Sequence, residues 1–204
     1  MPSVRDPFDS LRRKLQARRP RRIRAPAAVR TSVALILIPA PRRDFRVLLI
    51  ERARRAQDPW SGQVALPGGR CEPADADRLA TSIRETAEET GVTLRPEDLI
   101  GELDDLRPRT ATYPDLSVRP FVFTLPGEPA TAPSPEAAEC FWVGLKDLRG
   151  SACTAAFKIA GKPRFLPAFR VDSRIVWGLT YRILTSLLEI LAGRKERAPL
   201  RRTS

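Results

Sequence analysis

Three carboxylates, Glu85, Glu88 and Glu89, fall within the short stretch RETAEETG, residues 84–91. Successive helical residues are separated by about 100°, so on a helix the three share an arc of about 100°. Ala76, Leu79, Ala80, Ile83 and Ala87 take the opposite side, which reads as the buried face. Asp75 or Asp77 can cap the start of such a helix, and Gly91 fits a left-handed cap at its end. The charge is badly placed for a bare helix, because the last turn already carries the negative end of the dipole. At about 6 Å and an effective dielectric near 20, each like-charged pair costs roughly 2–3 kcal/mol. A divalent cation removes that cost, and carboxylates without imidazole or thiolate partners select a hard ion, Mg²⁺ or Mn²⁺. Taken alone, the stretch also reads as an acidic solvated face.

The rest of the composition narrows the chemistry. The chain contains no histidine, which removes Ser-His-Asp triads, Cys-His dyads and imidazole metal sites together. Cys71, Cys140 and Cys153 form no CxxC pair, so neither a zinc site nor a disulfide framework is expected. The formal net charge of +12 is concentrated at two ends. Residues 1–31 carry ten Lys or Arg against Asp6 and Asp9, residues 193–204 carry five against Glu196, and the stretch between balances. Such ends attract polyanions, so nucleic-acid contact through them stands as a secondary reading beside a solvated arm. The body offers no aromatic-and-basic RNA module. No secretory signal and no membrane-length apolar run is present, which points to a cytoplasmic protein. A homodimer is left open.

The elements that must position the carboxylates can be read from patterning. Residues 1–30 read as a basic arm, part helical, in which Leu11 and Leu15 lie four apart. Residues 31–192 form one domain, and 193–204 a basic tail. TSVALILIPA (31–40) and DFRVLLIERA (44–53) read as a strand hairpin turning at residues 41–43. A short strand is expected at Gln63 to Leu66, and strands at 99–106 and 116–125. Residues 137–148 read as a strand running into a short helix. The span 173–193 predicts one long helix, with Val176, Leu179, Ile183, Leu184, Leu187, Leu188 and Leu191 as its apolar stripe. The fold class is α/β, with a mixed β-sheet and helices packed on it.

Just upstream of the carboxylates lies LPGGR, whose glycines let backbone approach a ligand. Together, GGRCEPADADRLATSIRETAEETGV resembles the signature box of the Nudix hydrolases, with Arg84, Glu85, Glu88, Glu89, Gly91 and Val92 matching its second half. The resemblance implies an α/β/α sandwich and hydrolysis of a diphosphate with Mg²⁺ or Mn²⁺. It implies metal ligation by Glu85, Glu88 and Glu89 with the Gly69 carbonyl, and Arg84 as the residue that orients a catalytic glutamate. The general base is Glu85 or an acid from a later segment, Glu139 or Asp105. Fourteen residues separate Gly69 from Arg84, one more than usual, which leaves Glu72, Asp75 and Asp77 as alternatives for the first acid of the box.

That longer box is similar to the coenzyme A pyrophosphatase branch, as are LLIERARRAQDPWSGQVALPGG and the closing RIVWGLTYRILTSLLEIL. DPWSGQV departs from the branch in lacking a histidine and in running one residue longer. On this resemblance the substrate is coenzyme A or an acyl ester. Arg52, Arg54, Arg55 and Arg70 are candidates for the phosphates, and Trp60 for the adenine or pantetheine. Trp177 is read as core. The alternatives are a Nudix hydrolase of ADP-ribose, a dinucleotide or a nucleotide sugar, and an RNA-processing Nudix protein.

Overall fold

The computed structural model describes residues 6–25, 28–54, 60–107, 115–159 and 161–193. The basic tail and Arg55 therefore lie outside the described residues. A first helix, α1 (Asp9–Gln16), precedes strands β1 (Val29–Ala40), β2 (Asp44–Arg52), β3 (Val64–Ala65) and β4 (Gly68–Arg70). Helix α2 (Arg78–Thr90) follows, then β5 (Leu99–Glu102), β6 (Leu116–Thr124) and β7 (Ala137–Gly144), which runs into α3 (Leu145–Gly150). Strands β8 (Ala152–Ile159), β9 (Lys162–Val171) and β10 (Arg174–Trp177) lead to α4 (Gly178–Leu191).

The central sheet runs β3-β2-β1-β6-β5, with β4 added to β1 and β7 to β2. It is mixed, because β1 and β6 are parallel while the other pairs are antiparallel. Side chains alternate across it. Leu35, Leu37, Val47, Leu49 and Val122 face α1, α3 and α4 in one core, whereas Ala34, Ile36, Leu48, Phe121 and Phe123 face the α2 side in the other. Strands buried on both faces explain the near-continuous apolar runs of β1 and β2. The architecture is an α/β/α sandwich. No helix among the described residues is long and apolar enough to cross a membrane.

The basic N-terminal stretch is seated on this sandwich. Phe8, Leu11 and Leu15 are buried in the first core, each burial contributing about 1.5–3 kcal/mol. The following strap is clamped by acids at the end of β5 and just after it. Arg18 and Arg21 pair with Asp104, and Arg22 with Glu102 and Asp105. The Ile23 N–H donates to Asp105, and Arg119 grips the same carboxylate at 2.8 and 3.0 Å.

The span 173–193 is not one helix. Asp172 turns the chain at φ 51°, and the β-branched and aromatic run Ile175-Val176-Trp177 pairs with β9 as β10. Gly178, at φ 63°, then turns it into the shorter α4, so Val176 belongs to a strand. Trp177 is half-buried and stacks on Phe157, with centroids 4.1 Å apart.

Candidate active site

The site is built where β4 passes between β1 and α2. Gly68 and Gly69 pair with Val33 and Ser32 of β1. A Cβ on Gly68 would stand 2.2 Å from the Ser32 carbonyl oxygen, and one on Gly69 would stand 2.3 Å from the Glu85 carboxyl carbon. Both contacts are closer than real Cβ atoms approach; at Gly68 the obstacle is backbone, so only glycine fits, whereas at Gly69 it is the end of the Glu85 side chain. Helix α2 starts at Asp77, which accepts the Ala80 N–H at 2.8 Å, and ends at Gly91 with φ 72°. Both caps follow the sequence expectation.

The seat of α2 does not follow it. Its buried residues are Arg78, Thr81, Ser82, Thr86, Glu89 and Thr90, while Leu79 and Ile83 are only half-buried and Ala76 and Ala87 are exposed. The helix therefore turns the arc of Glu85 and Glu89 inward, toward β4, and the expectation of an opposed alanine and leucine face is corrected. Hydroxyls make a polar seat tolerable, because Thr81, Ser82, Thr86 and Thr90 return their O–H groups to the helix's own carbonyls or the carbonyl of its cap, Asp77. Arg78, 5% exposed, reaches Ser117 and approaches Asp105 at 3.9 Å.

The three glutamates stand in different surroundings. Glu89 is 4% exposed and accepts the Gly68 N–H at 2.8 Å. Burial pushes its pKa up to about 7, against the pull of that N–H and of Arg52, whose Nη1 is 4.0 Å away. Glu85 is half-buried against Gly69; burial raises its pKa, and Arg84 at 3.1 Å opposes the shift. Glu88 is largely exposed and holds Arg84 Nη1 at 3.0 Å.

Arg84 is the hub. Its Nε and Nη2 form a two-point contact with Asp75, both bonds at 3.0 Å, and Nη2 also donates to the Arg70 carbonyl at 3.2 Å. Asp75 also accepts the Thr81 hydroxyl and the Glu72 N–H. The Arg84 bonds first, with those two, hold its pKa well below the usual carboxylate range despite burial. Of the three alternatives for the first acid of the box, Asp75 is thus the partner of Arg84. Asp77 caps the helix, and Glu72 stays exposed at 3.9 Å from Arg84.

All-oxygen donors suit a hard divalent ion, and Glu89 carries a buried charge that such an ion would neutralise. Among the described residues no three acidic or thiol side chains stand in ligating geometry. Arg84 and the Gly68 N–H hold the glutamates here, so Glu88 would exchange Arg84 for the ion.

Of the phosphate candidates, Arg52 is brought beside Glu89 and Arg70 flanks Arg84. Arg54 lies along the Gly62 turn, and Trp60 is half-buried, its carbonyl accepting the Gln63 N–H at 3.1 Å. Glu139 is not brought to Glu85. It pairs with Glu51 across β2 and β7, on the face of Phe141, away from α2, and both acids hold Arg174. Asp105 is enclosed by Arg22, Arg78 and Arg119, whose pairing, with the Ile23 N–H, depresses its pKa in spite of burial. Neither stands beside Gly69. The Glu51–Arg174–Glu139 cluster was not read from sequence, because Arg174 is far from both acids along the chain.

Comparison with known proteins gives a consistent picture. Residues 29–169 match the model of the NUDIX domain. The mitochondrial coenzyme A diphosphatase NUDT8 of Homo sapiens is 33% identical over 186 residues, 88% of this chain and 76% of that one. An uncharacterized protein of Schizosaccharomyces pombe is 37% identical over 118 residues, spanning 55% of this chain and 36% of that one. Among solved structures, a MutT/nudix family protein from Enterococcus faecalis superposes with a TM-score of 0.60 at 19% identity, covering 87% of this chain and 66% of that one.

Proposed function

The chain belongs to the Nudix family, and from that premise we propose that it hydrolyses the diphosphate of coenzyme A or its acyl esters. The products are adenosine 3′,5′-bisphosphate and 4′-phosphopantetheine or its acylated form. The observation that carries the reading is Glu85, Glu88 and Glu89 gathered on α2 around Arg84, against Gly68 and Gly69. The 33% identity to the human coenzyme A diphosphatase over 88% of this chain supports the substrate class.

Glu85, Glu88 and Glu89, with the Gly69 carbonyl, would hold Mg²⁺ or Mn²⁺, which neutralises the diphosphate and acidifies water. Arg84, fixed at two points by Asp75, orients Glu85. Glu85 takes the proton of the attacking water, a role suited by the burial that raises its pKa. Arg52 and Arg70 flank the glutamates and bind phosphate oxygens, while Arg54 and Trp60 lie on the loop toward the nucleotide or pantetheine.

The test is incubation with coenzyme A, ADP-ribose and a dinucleotide, with and without metal, and separation of the products. Adenosine 3′,5′-bisphosphate formed only with metal supports the reading. Intact coenzyme A beside a cleaved second conjugate moves the substrate to that conjugate and assigns weight to the missing histidine in DPWSGQV.

A further inference from the structure

The β8–β9 hairpin takes no part in the reaction above. Its base joins the first core through Phe169 and Val171, but its outer half stands in solvent, with Ile159 exposed and Phe165 73% exposed. The two edges of this hairpin are treated differently. The Arg170 N–H donates to the Ser151 carbonyl at 3.0 Å, so even-numbered residues of β9 direct their backbone groups toward β8. Pro163 and Pro167 therefore point away from β8 and blunt the outer side of β9 with positions that have no N–H.

Strand β8 has no such protection. Its sequence ACTAAFKI holds one charge and no proline, and it pairs only with β9 among the described residues. Phe157 is opposite Arg164 and Ala155 opposite Leu166, so odd residues of β8 bond β9. Ala152, Thr154, Ala156 and Lys158 direct their N–H and C=O groups outward.

We propose that this edge is the interface with a second copy of the chain, β8 pairing antiparallel with β8 about a two-fold axis at Ala155. In that register Thr154 exchanges bonds with the partner's Ala156, and Ala152 with the partner's Lys158, each residue presenting its outward groups. The strand's single charge thus meets alanine, and no like charges face each other. On the odd face Leu166 and Ala155 continue into the partner's Ala155 and the partner's Leu166 as one apolar row. The hairpin tip, with Lys158, Lys162 and Arg164, reaches the base of the other copy. There Glu139, Asp147 and Asp172 outnumber Arg170 and Arg174 around a cleft of about 380 Å³ beside Ser151, which leaves it acidic. The two ends are complementary in charge, which favours a second copy over an unrelated partner. The inference does not depend on the substrate.

Sedimentation of the full chain tests it. The expected mass is twice 22.8 kDa, falling to 22.8 kDa in Ala156→Pro, which removes one outward N–H and leaves the bonds to β9 in place. Lys162→Glu should shift the equilibrium toward monomer without touching the strand. In a Cys153→Ser background, Ala155→Cys should form a disulfide-linked dimer on mild oxidation, while Cys153→Ser alone should not. A wild-type monomer at every concentration overturns the proposal, and so does a dimer indifferent to Ala156→Pro and uncrosslinked at position 155. A monomer that instead binds vesicles of acidic lipid through Phe165 overturns it too, in favour of a membrane surface.

Discussion

Glu89 shows how much one buried acid can cost and why it is kept. Its carboxylate is removed from water, is served by one backbone N–H, and is left with a pKa near 7. Glu89→Gln preserves the bond from Gly68 through the amide oxygen and deletes a buried charge that only Arg52, at 4.0 Å, partly offsets. Turnover should fall by about a hundredfold or more, beyond the 10–100-fold typical of an outer-shell change, while the melting temperature stays level or rises. A melting temperature that falls with turnover would mean the residue holds the fold rather than the ion. Asp75 works one bond further out. Asp75→Asn breaks the two-point grip on Arg84 and should lower kcat by about 10–100-fold with KM little changed. Equal loss of kcat and rise of KM would place Arg84 on the substrate instead.

At the scale of elements, β4 is the narrow part of the design. Its two glycines lie between β1 and the carboxylates of α2, where a Cβ on Gly69 would enter Glu85. Gly69→Ala should displace the Glu85 carboxylate, whose flexible end is what the new Cβ meets, and so cut turnover with little loss of stability; steady-state kinetics with thermal melts checks both effects. The existence of α2, its two caps and the strands flanking it were legible, because apolar runs, an Asp cap and a terminal glycine are local signals. The orientation of α2 was not. Alanines and leucines suggest a buried face by hydropathy, yet Ser82, Thr86 and Thr90 bury at small cost by bonding inside their own helix, Thr81 bonds Asp75 and the cap carbonyl of Asp77, and Arg78 buries against Ser117 and Asp105. The β8–β9 hairpin was not read from the sequence, in which Pro163 and Pro167 interrupt its second strand. Only their position on the open side of β9 reconciles them with a strand.

For the whole molecule, part of the charge that looked like a polyanion-binding arm is paired within the fold. Arg18, Arg21 and Arg22 meet Asp104, Glu102 and Asp105, and Arg119 and Arg78 complete the cluster. Burial alone would raise the carboxyls of Asp104 and Asp105, but ion pairs and backbone donors outweigh it, so their folded pKa lies below the unfolded value near 4. The stability they contribute is therefore present above about pH 4 and lost as pH falls through the folded value. Asp105→Asn should cost about 3–5 kcal/mol at neutral pH by stranding buried guanidinium groups. The difference from wild type should shrink at pH 3, as denaturant melts at the two pH values would show. An unchanged difference would remove the cluster from the acid limb.

The same clamp orders events during synthesis. Arg21 leaves the ribosome 83 residues before Asp104, and Lys14, whose ammonium bonds the Leu191 carbonyl, leaves 177 residues before its acceptor. At about 5–20 residues per second, that is roughly 4–17 seconds for Arg21 and roughly 9–35 seconds for Lys14. Helix α1 is thus fully seated only late, because Leu15 can pack on Gly101 once β5 is made, while the Lys14 contact waits for α4.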